Sequence, residues 1–360
     1  MRILALPRYS TNGPSSRVRL YNYLPYLKQA VFDVEMAPFF DPGYIENLFT
    51  GRKKNFTAII KSYFRRICLL LKSKKDQILW LQYELLPWVP FWVEKLCLSG
   101  IKMLVIDYDD AVFDRYRNHP SAIIRWFLGK KIARLMALAS VVVVGNQYLA
   151  DYAQECGARN IVIIPSVIEL EKYLPRQWKI HNQKPLQIGW IGSPSTVNYL
   201  LLIKDAIIAS IAENCEWIII GADIPNLLRV PGVTSRAWSI ENEVELLHSL
   251  DVGVMPLVDD TFEKGKCGYK LIQYMACGLP VVASPVGVNT KIVKHGINGF
   301  LAASRDEWEK AFKALQDIQL RARMGREGRK LIEDIYNYSV QSKVLIETFQ
   351  ALYVSKREHF

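Results

Sequence analysis

In this chain of 360 residues, the segment DVGVMPLVDDTFEKGKCGYKLIQYMACGLPVVASPVGVN, residues 251–289, holds the residue types best suited to chemistry. An apolar run ends at Pro256, and a polar loop with Asp259, Asp260, Glu263, Lys264 and Lys266 follows. Cys267, Gly268 and Tyr269 then lead into helical spacing that stops at Gly278. A glycine at a loop-to-helix junction lets an anion approach unpaired backbone N–H groups at the positive end of the helix. Lys266 and Lys270 add charge there, which makes the segment a phosphate site by its parts. Lys270 and Gln273 stand three residues apart and share a helix face, so Gln273 is placed to hold sugar or ribose hydroxyls.

Other clusters carry weaker signals. IDYDDAVFDRY (106–116) sets Asp107, Asp109, Asp110 and Asp114 after a buried run. Three readings stand open: a metal site, Asp109 or Asp110 orienting or deprotonating an acceptor hydroxyl, and capping of a helix by either residue. RYSTNGPSSRVRLYNYLPYL (8–27) reads as strand, Gly/Ser-rich loop and helix, with Gly13, Ser15, Ser16 and Arg17 as candidate site residues. Asn146 and Gln147 open a later helix. The five His are scattered without ligand spacing. Neither a G-x-S-x-G elbow nor a G-x-G-x-x-G turn is present, which removes support for serine hydrolase and dehydrogenase chemistry.

These residues need a frame to hold them. Half the residues are hydrophobic and 22% charged, enough apolar material for sizeable cores. Short, almost wholly apolar runs alternate with amphipathic stretches, as strands of a parallel sheet buried on both faces do. In the first half they are ILAL (3–6), QILWLQY (77–83), KMLVID (102–107), SVVVVG (140–145) and NIVIIP (160–165). In the second they are LQIGWIG (186–192), EWIIIG (216–221), GVTSRAW (232–238), DVGVMP (251–256), LPVVAS (279–284) and NGFLA (298–302). Helical periodicity covers 197–212, 240–250, 268–277 and 305–316. The simplest architecture is α/β: two doubly wound domains in tandem, residues 1–170 and 186–335, joined by a linker at 171–185. Ligands of such sheets sit beyond the carboxyl ends of the strands, so the site is expected in a cleft where the domains face each other.

The segment 251–289 resembles the C-terminal domain of the retaining glycosyltransferases of family 4, whose fold is GT-B, two Rossmann-like domains. That family's loop carries two Glu eight apart before A-M-A-x-G-x-P-V-V. Aligning YMACGLPVVAS puts Gln273 at the second Glu, which the resemblance assigns to the ribose hydroxyls, and Gly265 at the first, with Glu263 two residues earlier. The resemblance then leaves the first carboxylate to Glu263 or its sugar contact to backbone N–H groups around Lys266 to Tyr269. IGWIGSPSTVNYL (188–200) is similar to the element that supplies Arg and Lys to the donor diphosphate. Ser193 stands at the Arg position, so neutralisation falls to Lys266, Lys270 and the Gly192 to Thr196 amides and hydroxyls. GVTSRAW resembles the base-binding loop, with Arg236 and Trp238 bordering the nucleobase or Trp238 simply in the core. The family's last helix crosses back to the N-terminal domain, here residues 336–360.

The resemblance implies a nucleotide-diphosphate sugar as donor, a hydroxyl acceptor, retention of configuration, Asp109, Asp110, Glu263 and Lys266 as catalytic groups, and no metal or other cofactor. An epimerase of nucleotide sugars and a non-catalytic binding protein of the same fold are the competing readings.

Lys plus Arg number 46 against 35 Asp plus Glu, a net charge of +11. Residues 51–75 carry nine of the basic residues and no acid. Phe56, Ile59, Ile60, Tyr63, Phe64, Ile67, Leu70 and Leu71 recur there at helical spacing. This is either a basic amphipathic helix lying on an anionic membrane surface or a core-facing helix with a solvated basic face. With Trp80, Trp88 and Trp92 nearby, a lipid-linked acceptor in assembly of bacterial surface polysaccharide or glycolipid is the expectation, and nucleic acid is not. Six Cys without paired spacing fit a reducing compartment. The N-terminal apolar run is too short for a signal peptide, and none reaches membrane-spanning length. A cytoplasmic protein, peripheral on the inner membrane face, is expected.

Overall fold

The computed structural model describes residues 1–44, 55–72, 76–178 and 185–357. The chain divides into two compact units. One comprises Met1–Ser166, Gly265–Cys267 and Tyr338–Phe360; the other comprises Val167–Lys264 and Gly268–Asn337.

The N-terminal unit is built on six parallel strands, β1 (Arg2–Leu6), β2 (Asp33–Met36), β3 (Ile78–Gln82), β4 (Met103–Tyr108), β5 (Val141–Val144) and β6 (Ile161–Ile163), in the order β2-β1-β3-β4-β5-β6. β3, β4 and β5 are buried throughout, as their unbroken apolar runs require. β2 is absent from the sequence reading. It is an edge strand whose Asp33 and Glu35 alternate with half-buried Val34 and Met36, so no apolar run announces it.

Right-handed crossovers place the helices. The connections from β2 to β3, β3 to β4, β4 to β5 and β5 to β6 all advance across the sheet in one direction. They lay helices Phe56–Lys72, Phe91–Cys97, Ala122–Leu128, Lys131–Leu138 and Gln147–Glu155 on one face. Leu70, Leu98, Leu128, Leu135 and Leu149 accordingly share one core with Leu4, Leu79, Leu104 and Val142. The opposite face is closed by the Tyr338–Arg357 helix: Tyr338 meets Tyr23 at 5.0 Å between ring centroids, and Phe349 meets Trp80 at 5.3 Å.

The Phe56–Lys72 helix realises the described part of the basic stretch; residues 51–54 and 73–75 lie outside the described residues. Its charge is not all solvated. Arg66 is buried and donates to the carbonyls of Pro7 and Ala37, while Arg65 pairs with Asp41 at 2.6 Å. Burial with Arg65 alongside lowers the Arg66 guanidinium to about 9.

The C-terminal unit repeats the design with β7 (Leu186–Ile191), β8 (Cys215–Ile220), β9 (Val233–Arg236), β10 (Val252–Met255), β11 (Val281–Ala283) and β12 (Gly299–Leu301), all parallel, in the order β12-β11-β10-β7-β8-β9. Apolar cores lie on the two sides of this sheet, one around Ile191, Leu271, Tyr274 and Ile292, the other around Trp190, Trp217, Trp308 and Phe312. The stretch 197–212, helical in its periodicity, starts as a 3-10 segment, Val197–Ile203, and becomes an α-helix only at Lys204–Ala212. Of the segment read as linker, 171–178 packs into this unit: Tyr173 is buried, and Arg176 reaches Asp251 at 2.8 Å. Residues 179–184 lie outside the described residues.

Candidate functional site

In each sheet the first strand lies beside two strands reached by connections leaving in opposite directions, and such switch points are where open α/β sheets hold ligands. In the C-terminal unit the switch point lies between β7 and β10. The residues beyond their carboxyl ends are Gly192 to Thr196 and the loop 256–268, the two segments singled out in the sequence.

Gly268 caps the Tyr269–Ala276 helix in the left-handed conformation, φ 67°, which a residue with a Cβ rarely adopts. No side chain satisfies the cap, so the first backbone N–H groups of this helix point out of its end. Lys270, on the first turn, holds its ammonium 4.0 Å from the centre of the Trp190 ring. A Cβ on Gly192 would stand 2.7 Å from that same Nζ, so the ammonium lies against the backbone that follows β7. Ser193 Oγ lies 2.8 Å from Ser195 Oγ on the adjoining turn. An ammonium, a helix N-terminus and hydroxyls thus converge at one strand end, which suits a diphosphate.

Beside them runs a chain of side-chain contacts. Gln273 is only 4% exposed, and its side chain hydrogen-bonds the Tyr173 hydroxyl. Tyr173 donates to Glu243, and Trp238 Nε1 donates to the other Glu243 oxygen at 2.7 Å. Trp238 is half-buried, and Arg236 ends β9 exposed. Glu263 sits in the short Thr261–Lys264 helix, buried, where it accepts from the Tyr199 hydroxyl.

In the N-terminal unit the switch point lies between β1 and β3. Gly13 and Arg17 follow β1, Tyr83 follows β3, and Asp109 and Asp110 follow β4. Gly13 is the buried N-cap of the Pro14–Arg19 helix; Arg17 Nη1 donates to the Thr11 carbonyl at 3.3 Å. Tyr83 donates to Asp109. It does so from a left-handed backbone, φ 64°, a conformation that costs a bulky residue energy and recurs at functional sites. Its hydroxyl also contacts Ser15. Burial, with Asp109 and Asp110 close, pushes the Tyr83 phenol well above its ordinary value, so it stays a donor.

The four acids do not act together. Asp107 is buried and held bidentate by Arg19 at 2.8 and 3.0 Å; burial raises its carboxyl to about 6 against the pull of Arg19. Asp114 is buried within the Asp114–Arg117 helix, and Phe113, not Asp109 or Asp110, occupies its N-cap.

Gly265, Lys266 and Cys267 group with this unit. Asn146 Nδ2 donates to the carbonyls of Gly265 and Lys266 at 2.9 and 3.0 Å, while its Oδ1 caps the Gln147–Glu155 helix through Leu149 N–H. Cys267 Sγ reaches the Asp109 carbonyl at 3.0 Å, and burial drives its thiol well above the ordinary value, making it a packing group here. A Cβ at residue 265 would stand 2.5 Å from the Ala111 Cβ and 2.7 Å from its N, so a glutamate does not fit at this position.

Tyr83, Tyr199 and Trp190 are the neighbours of candidate groups that sequence reasoning passed over. Tyr83 had one local signal, an aromatic residue just past the carboxyl end of a buried run; the other two had none.

Comparison with known proteins agrees with this frame. Sucrose-phosphate synthase from Thermosynechococcus elongatus superposes with a TM-score of 0.71 at 15% identity, covering 99% of this chain and all of that one. HepE from Anabaena, in complex with UDP-glucose, gives 0.70 at 15% identity over 98% of this chain and 100% of its own. The fold is GT-B. Within this GT-B chain, residues 185–318 match the family model described as Glycosyl transferases group 1. N-acetyl-alpha-D-glucosaminyl L-malate synthase from Bacillus anthracis is 28% identical over 116 residues, 31% of this chain. The match spans 28% of that enzyme's length. No helix among the described residues is long and apolar enough to cross a membrane.

Proposed function

We propose that this GT-B chain is a glycosyltransferase that takes a nucleoside-diphosphate sugar, a UDP-sugar first among candidates, and moves the sugar to a hydroxyl acceptor with retention of configuration. The observation that carries the reading is the strand end where the Lys270 ammonium, the Gly192 backbone and the open N-terminus of the Tyr269–Ala276 helix converge. It lies inside the segment matched by the glycosyltransferase family model. HepE, of the same fold, was solved with UDP-glucose.

In the reaction the bond between sugar C1 and the diphosphate oxygen breaks and a bond from C1 to the acceptor oxygen forms. Negative charge grows on the leaving diphosphate, and Lys270 and the helix N–H groups stabilise it. The acceptor proton passes to the leaving phosphate. Glu263, fixed by Tyr199, holds a sugar hydroxyl. Gln273, engaged with Tyr173, orders the wall next to Trp238 that takes the nucleoside. The acceptor proposed is a lipid-linked or carbohydrate hydroxyl of surface polysaccharide or glycolipid synthesis.

Thermal-shift titration with UDP, GDP, ADP and CMP and their sugar conjugates tests this, because a ligand that binds only the native state raises its stability. One nucleoside diphosphate stabilising the wild type, with about tenfold weaker binding to Lys270→Ala, a loss of about 1.4 kcal/mol, is the expected result. Stabilisation by none of them sinks the proposal.

A further inference from the structure

The helical face of the N-terminal sheet has an outside that is unlike the rest of the molecule. The Phe56–Lys72 helix carries two apolar stripes. Ile59, Tyr63 and Ile67 pack on the core, whereas Phe56, Ile60 and Phe64, repeating every fourth residue, are 67–72% exposed. The neighbouring Phe91–Cys97 helix exposes Trp92 by 67%, and the Ala122–Leu128 helix on the same face exposes Trp126 by 79%. Phe91–Cys97 and Ala122–Leu128 both pack on the Lys131–Leu138 helix, and Arg134 of that helix lies 5.8 Å over the Phe91 ring. A protein surface left in water seldom gathers large apolar groups this way.

The charge of the same helices is one-sided. They hold a single acid, Glu94, which is fully buried against Lys131 at 2.8 Å. Lys61, Lys72, Lys95, Arg125 and Arg134 are exposed on them. The sequence adds Arg52, Lys53, Lys54, Lys74 and Lys75 on either side of the first helix, outside the described residues.

Exposed Trp and Phe between lysines and arginines, on four helices with no exposed acid of their own, match a surface that is negative on top and apolar beneath. A second copy of the same face would bring like charges together. An anionic bilayer supplies both halves of the match: lipid phosphates for the cations, and the headgroup boundary where Trp side chains settle. We propose that this face docks on an anionic lipid bilayer, with Phe64, Trp92 and Trp126 entering the headgroup boundary and Lys61, Lys95 and Arg134 against lipid phosphates. The inference does not depend on the transfer reaction, since its readout needs neither donor nor acceptor.

The test is flotation of the full chain with vesicles of phosphatidylcholine alone and of an equal mixture with phosphatidylglycerol, at low and high salt. The wild type is expected to float with the mixed vesicles and to be released by salt. The charge-reversed variant Lys61→Glu/Lys95→Glu/Arg134→Glu and the variant Trp92→Ser/Trp126→Ser should each bind at least about tenfold more weakly, with unchanged far-ultraviolet circular dichroism. Brominated lipid chains should quench wild-type tryptophan fluorescence more than that of Trp126→Phe, a readout that stands even where a multiple variant folds poorly. No flotation at low salt, equal flotation with neutral vesicles, or a wild-type dimer that does not float and that Trp92→Ser/Trp126→Ser makes monomeric would each overturn it.

Discussion

The two units share a sheet plan and differ in where they keep charge. In the N-terminal unit, ion pairs form between side chains at most 8% exposed: Arg8 with Glu84, Arg19 with Asp107, and Lys131 with both Glu84 and Glu94. Among the described residues the C-terminal unit has no such pair; its least exposed is Arg176 with Asp251, at 22% and 17%. Its buried polar groups instead bond to hydroxyls, amides and carbonyls, as Glu243 does with Tyr173 and Trp238. Taking two charges out of water costs more than their attraction returns unless further hydrogen bonds complete them. The N-terminal pairs are largely completed, with Arg8 Nε left without a partner: Lys131 also donates to the Leu86 carbonyl, Tyr116 donates to Glu84, and Glu94 accepts from Leu85 and Leu86 N–H. They tie together the loops that follow β1 and β3, through Arg8 and Glu84. The C-terminal unit leaves Lys270, the cation of the proposed donor site, half-exposed.

This contrast can be broken most forcefully at Lys131. Lys131→Met leaves Glu84 and Glu94 buried, with only Arg8 to compensate, and should cost about 3–5 kcal/mol, read as a lower urea midpoint. A loss below 1 kcal/mol would show that the network contributes no more than a surface pair.

The second test is pH. Burial pushes the Glu94 carboxyl up from 4.5 to about 7, with Lys131 pulling the other way and Glu84 adding to the rise. A group that holds its proton more tightly folded than unfolded stabilises the native state fully below its unfolded value, here 4.5, and loses that contribution as pH rises through about 7. Wild-type stability relative to Glu94→Gln should therefore fall by at most about 3 kcal/mol between pH 4.5 and 8. Denaturant titrations of the pair at several pH values check it; a flat difference would refute the shift.

A smaller effect is expected in the C-terminal unit. Gly268→Ala forces a Cβ into a left-handed cap, 2.5 Å from Ile292 Cδ1. A loss of about 1–2 kcal/mol in stability is expected, together with weaker nucleotide binding in the thermal-shift assay. If affinity is unchanged while stability drops, the helix N-terminus is not the phosphate end of the site.

Much of the frame was legible because it is written locally. Runs such as VVVV at 141–144 and WIII at 217–220 have no soluble use except in a buried strand, and they are β5 and part of β8. The loop-to-helix junction at Gly268 was equally legible, since a glycine before a helix marks the turn locally. β2 was not, because an edge strand has no need of an apolar run.

The pairings were beyond reach for a different reason. Arg19 and Asp107, or Arg8 and Glu84, stand 88 and 76 residues apart, and nothing in the spacing of either member names the other. Four aspartates after β4 read alike in sequence. Tertiary structure sends Asp107 into the interior against Arg19 and leaves Asp109 to the Tyr83 hydroxyl. The helical face followed the same rule: periodicity showed that the Phe56–Lys72 helix is amphipathic, but only the position of its neighbours decided which apolar stripe met the core. By itself the sequence determined the alternation of strands and helices and the loop-to-helix junction at Gly268, because burial and backbone geometry act over a few residues. The partners of each buried charge, and the side chains left facing outward, were decided by tertiary structure, because those choices depend on distant segments that only packing brings together.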